Sequence, residues 1–137
     1  MKLEDMLIKT LEDKTPLVHP TAFVSEAAYV VGDVEIGEGS SIWPGTVIRG
    51  DMGKVRIGKY TNIQDNSVVH GDYDVEIGDY VIVGHRVMCH AKYIGDQSLI
   101  GNGAIINDGV IIGKNSVVGS GTMVLENMDI PERSIVV

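Results

Sequence analysis

The sequence predicts an all-β chain wound as a parallel β-helix, and three observations carry that prediction. An aliphatic residue recurs every six positions along most of the chain, as in "IGEGSS", "IGKYTN", "IGDYVI" and "IGNGAI". A small or β-branched residue stands two positions before nearly every one of these aliphatics. Aromatic residues make up only 5% of the chain, so the interior must be filled by Val and Ile, whose branched side chains favour strands. A β-sandwich would space its strands about 8–12 residues apart. A sustained period of six instead gives each hexad one short strand and one corner, with three hexads closing a triangular coil.

The elements follow in order. Residues 1–14 stand before the repeat, and "KLEDMLIKTLED" reads as a short amphipathic helix or an irregular lead-in. Residues 15–137 form the β-helix domain. Its inward ridge runs in steps of six from Val18 to Ile48, and we label the three faces A, B and C from Ile36, Ile42 and Ile48. Three extra residues intervene before Ile57, which is followed by Ile63 and Val69. Two more precede Ile77, Val83 and Cys89, one is then lost before Ile94, and steps of six resume to Val136. The result is a triangular prism of about six to seven coils. Lys92 and Met128 break the small-residue rule. The glycines that follow ridge residues read as corners requiring positive φ.

Composition narrows the function. With 137 residues the chain is one domain. A net charge of −8 and a pI near 4.8 come with no basic patch, which argues against nucleic-acid binding and against anionic membranes. The single Cys89 excludes an intramolecular disulfide and suits a reducing compartment. No apolar run reaches the ~18 residues of a membrane span, and the first residues lack a signal-peptide core, so the expected location is the cytoplasm.

Three of the four histidines fall within "VVHGDYDVEIGDYVIVGHRVMCH". His70 and His90 each follow a face C ridge residue, Val69 and Cys89, so they stack one coil apart, about 4.8 Å between backbones. Arg49 stands one coil below His70 in this column and Asn107 one coil above His90. His85 lies two residues after Val83 on face B, above Asp65 and beside Gln64. Within one prism it would have to round an edge to meet the other two. If face C of one copy meets face B of the next around a threefold axis, the three converge. This spacing predicts a homotrimer with His70 and His90 from one subunit and His85 from its neighbour around a metal. Three neutral imidazoles suit Zn²⁺, or Fe²⁺ or Co²⁺ at the same ligands, and leave a position open for water. Cys89 is an inward ridge residue and cannot join. His19, before Pro20 and outside these columns, reads as structural.

The stretch "RGDMGKVRIGKYTNIQDNSVVH" followed by "GHRVMCH" resembles the gamma-class carbonic anhydrases and their close relatives, over roughly residues 15 to 136. The resemblance implies a left-handed, trimeric helix in which His70, His85 and His90 ligate the metal. It implies that Arg49, Asp51 and Asp65 form ion pairs between subunits, that Gln64 orients a metal-bound hydroxide and that Asn62 lies near the same water. The implied reaction is reversible hydration of CO2 to bicarbonate. This chain departs from the pattern in three places. Met52 stands where active members carry a glutamate. "GDYDVE" is short where they carry an acidic proton-shuttling loop, so a relay would fall to Asp72, Asp74 or Glu76. The sequence stops at "SIVV", where relatives continue into a long helix. Two other functions fit the repeat: a metal-binding trimeric scaffold of low or no activity, and a hexapeptide-repeat acyltransferase. The second usually needs an extruded loop, whereas the insertions here are three and two residues long.

Overall fold

The computed structural model describes residues 7–137, and within them all regular structure is β-strand. Most strands are two residues long, and every strand pair is parallel. Each ridge residue pairs with the ridge residue one coil away. Val83 lies between Ile63 and Ile100 on face B, Cys89 between Val69 and Ile106 on face C, and Ile94 between Ile77 and Ile112 on face A. The three-residue insertion, the two-residue insertion and the deletion are therefore absorbed without loss of register. The ridge residues from Val30 to Val124 are at most 3% exposed and stack into one apolar column. Burying each Val or Ile is worth about 1.5–3 kcal/mol.

Most of the small residues two before the ridge, from Ala28 to Ser116, are sealed inside as well, and their hydroxyls are spent between coils. Ser40 Oγ donates to Gly58 O at 2.6 Å, Thr46 Oγ1 to Gln64 O at 2.8 Å and Ser67 Oγ to Gly84 O at 2.7 Å. That is why small hydroxyl residues recur there: buried polar groups must be paired.

The corners differ from the sequence reading. The left-handed residues stand three before most ridge residues from Ile42 onward, and several are not glycine: Tyr60 (φ 50), Asn66 (φ 62), Arg86 (φ 51) and Gln97 (φ 59). The glycines after ridge residues serve close approach between coils instead. A Cβ on Gly37 would lie 2.5 Å from Gly58 O, and one on Gly113 would lie 2.3 Å from the Glu132 amide nitrogen.

Two long strands, Tyr29–Ile36 and Val47–Ile57, run through the corner between faces C and A, merging those faces into one 12-stranded sheet beside a 7-stranded sheet on face B. Their register shifts between Gly32 and Val34, which places the three extra residues just after Gly50. The second insertion packs onto the first: a Cβ on Gly53 would lie 2.1 Å from Tyr73 O, and the Lys54 amide donates to Asp74 Oδ1 at 3.0 Å. Both insertions are thus stacked at the C–A corner, next to His70.

Ahead of the repeat, Ile8–Lys9 form a strand pairing with Val30–Val31, where the sequence admitted a helix or an irregular lead-in; residues 1–6 of that segment lie outside the described residues. Among the described residues no helix is long and apolar enough to cross a membrane.

Candidate metal centre

Strand register brings His70 and His90 together on face C. The rings meet edge to face at 5.0 Å between centroids, and His70 Nδ1 lies 3.4 Å from His90 Nε2. Two nitrogens each about 2.0–2.1 Å from one tetrahedral Zn²⁺ stand about 3.4 Å apart, so this pair already has the separation that two ligands of one ion require.

The other ring nitrogens are held by carboxylates. His70 Nε2 donates to Asp51 Oδ1 at 2.7 Å, and His90 Nδ1 to Asp108 Oδ1 at 2.9 Å. A carboxylate on one nitrogen fixes the tautomer and leaves the other with its lone pair free. The pair is shielded, with side chains 8% and 26% exposed. Burial pushes the Asp51 carboxyl upward, but the Met52 amide, His70 and Arg49 outweigh it and hold the group below its ordinary range.

His85 is placed elsewhere. It stands on face B with half its side chain exposed, and Nδ1 lies 3.2 Å from Asp65 Oδ1. Its backbone amide is anchored to Asn102 Oδ1 at 2.9 Å. Among the described residues of one chain, no group of three His, Cys, Asp or Glu side chains converges as a metal site. The structure therefore joins His70 to His90 and leaves His85 apart, as the column assignment predicts. Each of the three histidines carries one carboxylate partner.

The remaining candidates divide between the two faces. Arg49 Nε lies 3.5 Å from Asp51 Oδ2, so these two residues already pair within the chain. Asn62 and Gln64 flank Ile63 on face B, on the side of His85. Asn62 Nδ2 donates to Ser41 Oγ at 2.9 Å, while its Oδ1 is buried and has no partner among the described residues. Cys89 points inward, and burial pushes its thiol up to about 11; it remains a neutral core residue.

Beside His90 opens a cleft of about 680 Å³, bounded by both insertions through Met52, Asp72, Tyr73 and Asp74 and by Asp108 on the next coil. Of the three relay candidates, Asp74 accepts from the Lys54 amide, Asp72 lines the cleft, and Glu76 lines a separate groove on face A with Arg56. Asp108 escaped the sequence reading, which looked directly above His90 to Asn107. The Asn107 amide instead donates to Val124 O at 2.8 Å. A search for a carboxylate one coil from each histidine would have found Asp51, Asp65 and Asp108 together.

Comparison with known proteins bears on the fold and the family. The family "Bacterial transferase hexapeptide (six repeats)" matches residues 92–126. A hexapeptide transferase family protein from Anaplasma phagocytophilum superimposes with a TM-score of 0.92 at 34% identity, covering 97% of this chain and 79% of that one. Gamma carbonic anhydrase 2, mitochondrial, of Arabidopsis thaliana is 42% identical over 131 residues, 90% of this chain and 47% of the relative. A carbonic anhydrase of Geobacillus kaustophilus is 42% identical over 97 residues, 69% of this chain and 53% of the relative. The chain thus spans about half the length of these two curated relatives. By its repeat, its register and these likenesses, the chain belongs to the gamma-carbonic-anhydrase-like hexapeptide-repeat family.

Proposed function

We propose that the chain assembles as a homotrimer, holds a divalent metal between His70 and His90 of one copy and His85 of the next, and hydrates CO2 reversibly. The observation that carries this reading is the 3.4 Å nitrogen pair of His70 and His90, with a third carboxylate-held histidine on a different face.

Surface chemistry supports the same assembly. The positions just before the ridge point outward. On face C they include Met88 and Met123, 42% and 57% exposed, and on face B Ile82 and Leu99, 43% and 39% exposed. On face A the corresponding row carries Glu35, Arg56 and Glu76, with Arg56 Nε 3.0 Å from Glu35 Oε2. Apolar residues on faces B and C, and on face A a charged stretch at Glu35, Arg56 and Glu76 set between Leu17 and Tyr93, fit a ring in which B meets C and A looks outward.

A zinc-type ion bound by three imidazoles supplies hydroxide near neutral pH. The chain's own residues do the rest. Asp51, Asp108 and Asp65 hold a proton on one nitrogen of each histidine. Gln64 and Asn62 stand on the side of His85, where their amides orient a water. Asp72, in the cleft, takes the proton that must leave in each turnover.

The test is metal content, sedimentation and stopped-flow CO2 hydration on one sample. The expected result is one divalent ion per chain, a particle of about three times the chain mass, and hydration abolished by chelation. A monomer carrying one tightly bound ion per chain contradicts the shared site, and a metal-loaded trimer without hydration contradicts the reaction. A second reading, acyl transfer, is favoured by the transferase names of the matched family and of the Anaplasma protein. Acetyl-coenzyme A turnover by the same sample, surviving chelation, would favour it.

A further inference from the structure

We propose that Asp108 is the positioning residue of His90: it fixes the ring as the Nδ1–H tautomer and so presents Nε2 to the metal. The inference rests on the metal-binding reading above. The geometry is specific, with His90 Nδ1 and Asp108 Oδ1 2.9 Å apart and Nε2 of the same ring facing His70 Nδ1 at 3.4 Å. An imidazole whose Nδ1 carries the proton has its lone pair on Nε2, on the side where the second histidine waits.

Asp108 is itself held. It follows Asn107, whose amide is tied to Val124 O at 2.8 Å, and its carbonyl accepts the Asn127 amide at 2.9 Å. Gly109 then turns the corner at φ +71. This rigid corner aims the carboxylate back across one coil, and because Asp108 comes from a coil not shared by any of the three histidines, its loss leaves their strands intact. His70 has an equivalent partner in Asp51, but Asp51 also pairs with Arg49; Asp108 is the cleaner case, since its carboxylate meets His90.

The test uses the full chain labelled with ¹⁵N-histidine, together with zinc competition against a chelator. In the metal-free wild type His90 is expected as the Nδ1–H tautomer. Asp108→Ala is expected to shift it toward Nε2–H and to weaken zinc binding about 10–100-fold. Asp108→Asn keeps an oxygen acceptor, so it is expected to retain the tautomer and lose less than about tenfold. Circular dichroism checks that both variants fold, and the asparagine variant keeps the comparison alive if the alanine variant does not. A folded Asp108→Ala with unchanged tautomer, or with unchanged zinc affinity, overturns the proposal. If the wild type bound no zinc, the metal reading would fall, while the tautomer comparison would still decide whether Asp108 orients His90.

Discussion

His85→Ala is expected to strip the protein of metal as completely as His90→Ala, although the two residues stand on different faces of the prism. Within one chain His85 is half exposed and, among the described residues, its ion-pair partner is Asp65, so a single prism gives no reason for it to matter to the His70–His90 pair. In the proposed ring it is the third ligand. Removing one of three imidazoles should weaken binding by more than about 100-fold, beyond the ~10–100-fold cost of losing an outer partner such as Asp108. Elemental analysis of the purified variants reads the effect. Full occupancy in His85→Ala would show that the ion, if bound, uses face C alone.

Gly32→Ala is expected to cause the largest loss of stability among glycine substitutions. Gly32 has φ +85, and a Cβ there would lie 2.2 Å from Gly50 O, backbone that cannot rotate away. Left-handed strain and the clash together should cost roughly 3 kcal/mol. Gly103→Ala is the control. It has φ +69 but open space within 4 Å, so only the strain remains, about 1 kcal/mol. Urea denaturation midpoints compare the two, and equal losses would mean that the Gly32–Gly50 approach is not tight. The contact also bears on the site. Gly50 immediately precedes Asp51, so spreading the two long strands would move the carboxylate that holds His70.

The fold was legible in the sequence because its cause is local and repeats. Each ridge residue must fit a narrow apolar interior, so Val and Ile recur every six residues, and insertions shift the count without breaking it. The column of His70 and His90 followed from that count alone, as did the isolation of His85 on face B. Three features were hidden. The left-handed corners at Tyr60, Arg86 and Gln97 carry no glycine, and residues of these types seldom adopt that conformation, so nothing in their identity marks the turn. The strand at Ile8–Lys9 precedes the repeat and draws its pairing from Val30–Val31 rather than from its own period. Asp108 lies diagonally across a corner from His90, and a reading confined to straight columns finds Asn107 in its place.

The claim that the site is shared between copies is tested most directly by complementation. His85→Ala chains keep His70 and His90, and His90→Ala chains keep His85. Unfolded together and refolded as mixed rings, they should regain about one quarter of the wild-type metal, the share of interfaces that pair an intact face C with an intact face B. Each variant refolded alone should hold none. Recovery in the mixture and not in the separate samples is the predicted result. A mixture as empty as its components, while wild-type chains refolded in the same way bind fully, would contradict a site built from two subunits.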